Sequence, residues 1–255
     1  MAEVTLARDG HVARLTLNRP AKKNALNAAM WAAIPPLVAE VAADDAVRVL
    51  ILTGAGEAFA AGADIAEFET VYATAESAAR YTATVKAANE ALAAFPKPAL
   101  AMIGGACVGG GAALALCCDL RFASADARFG ITPAKLGLSY PFLDTRRLVE
   151  AVGPGRAKDI LFSGRILDAE EALRFGLIDR VAAPDALEAA VMAYAATLVA
   201  NSPVSQASIK RMVALAQGPL GPDAPEPHAL YLEAFAADDF REGYAAFVAK
   251  RPPRF

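Results

Sequence analysis

The sequence is poor in the residues that most often carry metal and disulfide chemistry. Its 255 residues include two histidines, His11 and His228, and three cysteines, Cys107, Cys117 and Cys118. Two histidines this far apart supply a metal site poorly, so we expect both at the surface and no metal in the protein. The cysteines lie in apolar surroundings, which favours buried reduced thiols and a cytoplasmic protein.

Long apolar runs and an excess of one charge are also lacking. No apolar run reaches the ~18 residues of a membrane span without a charge, so no span is predicted. MAEVTLARDG has no basic segment followed by an apolar one, and no secretory signal is expected. Lys and Arg number 25 against 28 Asp and Glu, a net charge of −3, which gives no broad basic surface for nucleic acid.

Two common catalytic and cofactor motifs are missing as well. No G-x-G-x-x-G can be placed through residues 104–116, which argues against a dinucleotide-binding loop. No G-x-S-x-G nucleophile turn occurs, and the nearest segment, GLSYP at 137–141, ends in proline. The glycines of this chain therefore need another explanation.

The order of elements predicts an α/β protein. A hairpin is predicted for EVTLA and HVARLTLN. Short apolar strands that should be buried are predicted for VRVLILTG, ALAMIGG and DLRFAS. Asn27 caps a helix that Pro35 and Pro36 should kink. Asp168 and Glu171 form a capping pair for a later helix. The chain is mostly helical after residue 144, and GPLGPDAPEP (218–227) is interpreted as a linker.

Two glycine-containing segments, FAAGADI (59–65) and VGGGAAL (108–114), are each predicted to lead from a buried strand into a helix. The first amides of a helix have no partner within it, and glycine removes the side chain that would keep a ligand away. Two such junctions facing one point would form an oxyanion hole. The pair therefore indicates a site that receives a carbonyl oxygen.

The motifs together resemble a known family. LNRPAKKNAL, FAAGADI, GGACVGGGAALALCCDLRFAS, GRILDAEEALRFGLIDRV and DDFREGYAAFVAKRPPRF occur in the order found in crotonases, the enoyl-CoA hydratase/isomerase superfamily. The resemblance implies a spiral of ββα units over residues 1–195 and a C-terminal helical trimerisation region over 196–255. It also implies an acyl-CoA substrate, no cofactor beyond the CoA moiety of that substrate, and a homotrimer or a dimer of trimers.

The resemblance assigns roles to individual residues. It implies an oxyanion hole made by the backbone N–H groups of Ala63 and Gly110. Asp64 belongs to the same loop, and its side chain is expected to serve that loop. The positions that match CoA contacts in the family, the last two reaching the CoA of a neighbouring subunit, are Ala61, Ala63, Asp64, Ile65, Phe247 and Lys250.

The sequence departs from typical hydratases at both catalytic glutamates. One falls on Ala113, and the other falls on Pro133 or, with a shift of one residue, on Ala134. The segment FGITPAKLGLSYP resembles methylmalonyl-CoA decarboxylases and places Tyr140 at their active-site tyrosine. The histidine of those enzymes is Ala63 here, so this second likeness is partial.

Three functions stay open at this point. The first is hydratase or isomerase chemistry on an acyl-CoA with an unconventional proton-transfer group such as Tyr140. The second is decarboxylation of a malonyl-type CoA thioester, which needs no base, and the third is a non-catalytic CoA-binding scaffold. Tyr140 is equally compatible with catalysis and with packing. Asp144 is expected to cap a helix, and Glu67 to be solvated.

Overall fold

The computed structural model describes residues 2–218 and 225–255. The strands are β1 (Val4–Asp9), β2 (Val12–Leu17), β3 (Val49–Gly54), β4 (Ala99–Ile103), β5 (Ala106–Val108), β6 (Leu120–Ser124), β7 (Arg128–Gly130), β8 (Ile166–Asp168) and β9 (Arg180–Ala182). The helices are α1 (Ala28–Ala43), α2 (Phe68–Val71), α3 (Ala75–Ala93), α4 (Gly110–Leu116), α5 (Phe142–Val152), α6 (Pro154–Ser163), α7 (Ala169–Phe175), α8 (Leu187–Val199), α9 (Pro203–Ala216), α10 (Pro225–Ala236) and α11 (Asp238–Val248).

The main sheet has six strands in the order β1-β2-β3-β4-β6-β9. The predicted hairpin of β1 and β2 is its antiparallel edge, and the remaining pairs are parallel. The first five residues of β3 and all of β4 are buried, as their continuous or nearly continuous apolar runs predict. The α/β expectation is confirmed.

A second, three-stranded sheet in the order β5-β7-β8 was not predicted from the sequence. Each of its strands has three residues, too few for an alternating pattern to be visible. Isolated bridges join Ala60 to Cys107 and Leu26 to Ala63. The 59–65 loop is thereby fastened between β5 and the segment before α1.

Two of the predicted helix caps, Asn27 and Asp168, are confirmed. Asn27 accepts a hydrogen bond from the Met30 amide at 2.8 Å, and the Asp168 side chain accepts one from Glu171 at 2.8 Å. Helical structure continues through Pro35 and Pro36. Of the predicted linker 218–227, residues 219–224 lie outside the described range, and residues 225–227 are the first turn of α10 rather than a linker.

The scarce residues lie where the sequence predicts. His11 and His228 are exposed, and the three cysteines are buried and free. Burial raises the pKa of Cys117 to about 12, so this thiol stays protonated. Among the described residues, no helix is long and apolar enough to cross a membrane, and no group of three His, Cys, Asp or Glu side chains could hold a metal.

Candidate active site

The two glycine segments lie side by side. The Val108 amide donates to the Ala60 carbonyl at 2.9 Å, and the Ala60 amide donates to Ala106 at 2.9 Å. On the other side, Leu26 donates to the Gly62 carbonyl at 2.7 Å and accepts from Asp64 at 2.9 Å. This pairing fixes the loop at both edges and leaves the Ala63 amide out of the ladder.

The amides of Ala63 and Gly110 come close to each other. A Cβ added to Gly110 would lie 3.6 Å from the Ala63 nitrogen and 2.8 Å from Cζ2 of buried Trp31. Among the described residues, neither amide donates a hydrogen bond to a backbone or side-chain acceptor. Gly109 has a φ of +52°, which L side chains rarely adopt. Glycine is favoured at 109 by this backbone angle and at 110 because a Cβ would collide with Trp31 beside the Ala63 amide.

The helices that follow the two junctions are short. The first junction leads into a 3-10 turn, Ile65–Glu67, and then into the four-residue α2. The second leads into α4, which has seven residues. FAAGADI therefore enters a helical turn, as predicted, but not directly after a strand, because β3 ends at Gly54. The free amides themselves, rather than a long helix dipole, supply the positive potential at this point.

Ala63 and Gly110 both line one cavity of 580 Å³. The cavity runs from the glycine junctions between α3 and the segment that enters α5, and its lining is mostly apolar. Predicted site residues that line it are Ala61, Ala63, Ile65, Gly110, Ala113, Pro133 and Tyr140. A thioester whose oxygen met the two amides would therefore have space for its acyl group.

Other predicted site residues do not line this cavity in the part of the chain that the structure describes. Asp64 turns its carboxylate to Arg19, at 2.6 Å, and accepts from the Ala66 amide, as expected for a residue that serves its own loop. Phe247 lies on α11 and is 83 % exposed, and Lys250 follows that helix with a φ of +51°. Their contact with the CoA of a neighbouring subunit stays a prediction.

The prediction that Asp144 caps a helix was wrong. Helix α5 begins two residues earlier, at Phe142, and Pro141 occupies the cap position. Asp144 lies in the first turn, is 5 % exposed and lines the cavity. Its Oδ1 accepts from Asn89 at 3.1 Å and from Arg147 at 3.2 Å. Sequence reasoning missed this cluster because Asn89 and Asp144 are 55 residues apart.

Tyr140 lies beside this cluster, and its hydroxyl is buried without a hydrogen-bond partner among the described residues. Burial, together with the nearby Asp144 carboxylate, raises the pKa of Tyr140 well above its ordinary value. Burial also raises the pKa of Tyr81, across the cavity, to about 12. Both phenols therefore stay protonated near neutral pH.

Glu67 is not the solvated side chain that the sequence suggests. It is half-buried, and its carboxylate accepts a hydrogen bond from the Ala28 amide at 2.7 Å. This contact satisfies one of the free amides at the start of α1. Glu67 therefore serves the fold rather than the cavity.

Comparison with known proteins agrees with this architecture. The family model for enoyl-CoA hydratase/isomerase matches residues 7–255. The chain belongs to the enoyl-CoA hydratase/isomerase family. A crystal structure of a protein from Hyphomonas neptunium, assigned to the same family, is 47 % identical, with a TM-score of 0.98, over 100 % of this chain and 97 % of that one.

Two curated relatives carry more specific names. Crotonyl-CoA hydratase of Syntrophomonas wolfei is 34 % identical, over 99 % of this chain and 97 % of its own length. (E)-Benzylidenesuccinyl-CoA hydratase of Thauera aromatica is 35 % identical, over 99 % of this chain and 98 % of its own. Both are named as CoA-thioester hydratases, which supports an enzyme of the hydratase/isomerase type. Nearly equal identity to enzymes with such different acyl groups does not single out one acyl group for this chain.

Proposed function

We propose that this protein is an enoyl-CoA hydratase/isomerase-family enzyme that acts on an acyl-CoA thioester through an enolate. The observation that carries the proposal is that Ala63 and Gly110, whose amides have no partner among the described residues, line one cavity and lie close to each other. An enolate places negative charge on the thioester oxygen, and each preorganised donor to such an oxygen contributes about 2.7–4 kcal/mol. The substrate brings its own CoA moiety, so no further cofactor enters the proposal.

The resemblance puts the two glutamates of typical hydratases at Ala113 and at Pro133 or Ala134. Ala113 and Pro133 line the cavity, which supports this placement. Neither side chain transfers a proton, and general acid–base catalysis contributes about 10²–10⁴-fold. The reaction therefore needs another proton-transfer group or, as in decarboxylation, a step without a base.

The test compares three substrates. Purified protein is incubated separately with crotonyl-CoA, methylmalonyl-CoA and ethylmalonyl-CoA, and hydration and CO₂ release are followed. We expect hydration of crotonyl-CoA, slower than with a two-glutamate enzyme. Release of CO₂ without hydration would identify a decarboxylase instead. Inactivity with tight CoA binding would identify a scaffold, and inactivity without CoA binding would contradict the family-based proposal.

We also propose that the functional unit is a homotrimer or a dimer of trimers. The C-terminal helices support this assembly because they expose large apolar side chains, including Tyr231, Tyr244 and Phe247, as unassembled interfaces do. Analytical ultracentrifugation is expected to give three or six copies. A monomer that retains full activity would contradict the roles of Phe247 and Lys250 at a neighbouring site.

A further inference from the structure

The ionisable side chains that line the cavity are few. Within the described part of the chain they are Tyr72, Tyr81, Lys86, Glu90, Tyr140 and Asp144. Burial raises the pKa of all three tyrosines, so their phenolate forms are scarce near neutral pH. Lys86 is exposed at the rim, and Glu90 forms an ion pair with Arg147. Asp144 is the buried carboxyl group of this lining.

Only one oxygen of the Asp144 carboxyl group accepts hydrogen bonds from the described residues. Oδ1 accepts from Asn89 at 3.1 Å and from Arg147 at 3.2 Å, and the ion pair of Arg147 with Glu90 fixes the guanidinium in turn. Oδ2 has no hydrogen-bond partner among the described residues, and it is not one of the buried unpartnered atoms. The anchored oxygen sets the orientation, and the other oxygen remains accessible from the cavity.

The polar groups around Asp144 are incompletely satisfied. Asn89 Oδ1 and the Tyr140 hydroxyl are both buried without partners among the described residues. Buried polar atoms in native proteins are nearly always hydrogen-bonded, and exceptions call for an explanation such as a catalytic role. Asp144, Asn89 and Tyr140, three residues with unused hydrogen-bonding capacity, thus line the same cavity as Ala63 and Gly110.

We propose, resting on the proposed enolate chemistry, that Asp144 is the catalytic carboxylate that moves the proton of the acyl group. Its Oδ2 takes a proton from the carbon next to the thioester carbonyl. The C–H bond breaks, its electron pair passes to the thioester oxygen held by Ala63 and Gly110, and an O–H bond forms on Asp144. The reverse step returns the proton, so no oxidant or further reactant is needed.

The ionisation of Asp144 suits this task. Burial raises the pKa of Asp144 above its ordinary value, while the Arg147 guanidinium and the Asn89 hydrogen bond pull it part of the way back. A general base works best when its pKa approaches the working pH. The ionisable groups around it are Arg147 on α5, Glu90 on α3, Cys117 at the end of α4, and Tyr140.

The test is exchange of hydrogen for deuterium in butyryl-CoA, which has no double bond to hydrate. The protein is incubated with butyryl-CoA in D₂O, and incorporation at the carbon next to the carbonyl is followed by mass spectrometry. We expect exchange by the wild type and a loss of about 10²–10⁴-fold in Asp144→Asn. The concentration of butyryl-CoA that gives half-maximal rate should change little, because asparagine has nearly the same size as aspartate and preserves the shape of the cavity. Exchange in Asp144→Asn within threefold of the wild type would overturn the proposal.

Two controls separate this role from a structural one. Asp126→Asn removes the same charge at an exposed position and should exchange like the wild type. Asp144→Glu retains a carboxylate and should recover part of the loss.

If Asp144→Asn does not fold, the pH profile of exchange by the wild-type protein tests the proposal instead. We expect the exchange rate to rise with pH, with an inflection above the ordinary Asp pKa of about 3.9. The Glu90→Gln variant should keep this inflection. A flat profile from pH 4 to 8 would overturn the proposal.

An infrared spectrum of the bound thioester carbonyl, recorded beside the exchange measurement, distinguishes the proposal from the function it rests on. A wild-type protein that binds butyryl-CoA and polarises its carbonyl, but exchanges no deuterium, would overturn the role of Asp144 alone. A wild-type protein that does not polarise the bound carbonyl would overturn the oxyanion hole and the enolate with it.

Discussion

Two parts of the cavity wall are built by different means. In the glycine part, Ala63 and Gly110 carry backbone amides that have no partner among the described residues. In the side-chain part, Asp144 and Tyr140 lie at the start of α5, where Asp144 accepts a hydrogen bond from Asn89 on α3. The glycine part depends on the absence of side chains, and the side-chain part depends on their identity. We therefore expect acyl-group chemistry to change with the side-chain part while the glycine part holds the enolate oxygen in the same way.

The largest effect on activity is expected from removing the backbone N–H of Ala63 in the glycine part of the wall. Ala63→Pro deletes the N–H while leaving both hydrogen bonds between Leu26 and the loop intact, and Ala63 has no positive φ that would exclude a proline ring. We expect kcat/KM to fall about 10²–10³-fold, the loss typical of one oxyanion donor. Steady-state kinetics on the preferred thioester measures this.

Ala63→Gly is the matched control, because it changes the same side chain and retains the N–H. It should keep activity close to the wild type. Equal losses in Ala63→Pro and Ala63→Gly, with both proteins folded by circular dichroism, would show that the amide of residue 63 has no catalytic role.

A gain of function tests the same comparison by adding side chains to the cavity wall. Ala113→Glu combined with Pro133→Glu places carboxylates at two positions on the cavity wall. We expect hydration of crotonyl-CoA to rise by up to about 10²-fold, the lower part of the general acid–base range. The double variant Ala113→Gln, Pro133→Gln has the same size without the charge. No gain of the folded glutamate variant over it would refute the placement of the missing groups.

A stability prediction follows from the ionisation of Asp144. A carboxyl whose pKa is higher in the folded than in the unfolded protein favours folding below the unfolded value near 3.8, and this contribution is lost as pH rises through the folded value. The unfolding free energy of Asp144→Asn should therefore improve relative to the wild type between pH 4.5 and pH 7.5. Urea titrations measure it, and the opposite trend would mean that Asp144 is stabilised as an anion.

The smallest effect is expected at Tyr140. Tyr140→Phe removes a hydroxyl that has no partner among the described residues. The unfolding free energy should stay the same or rise by about 1 kcal/mol, because an unsatisfied polar group is no longer buried. Thermal unfolding measures it. A loss of several degrees in Tm would indicate that the hydroxyl is hydrogen-bonded in solution.

The two parts of the cavity wall differ in how well the sequence alone predicts them. The glycine part can be predicted from the sequence because free amides require backbone without side chains, and this requirement is met by Gly109 and Gly110. The side-chain part cannot be predicted in this way, because an aspartate near the start of a helix has the same sequence pattern whether it caps the helix or faces a cavity. The start of α5, two residues before Asp144, decides between these roles, and the partner of Asp144 in the fold, Asn89, is 55 residues away in sequence.

The central claim is that Ala63 and Gly110 polarise one thioester oxygen, and the stretching frequency of that carbonyl tests it directly. Infrared difference spectra of bound butyryl-CoA carrying ¹³C at the carbonyl would report the bond itself. We predict a lower frequency on the wild-type protein than in solution, returning towards the solution value on Ala63→Pro. A bound carbonyl with its solution frequency on the wild-type protein would contradict the account.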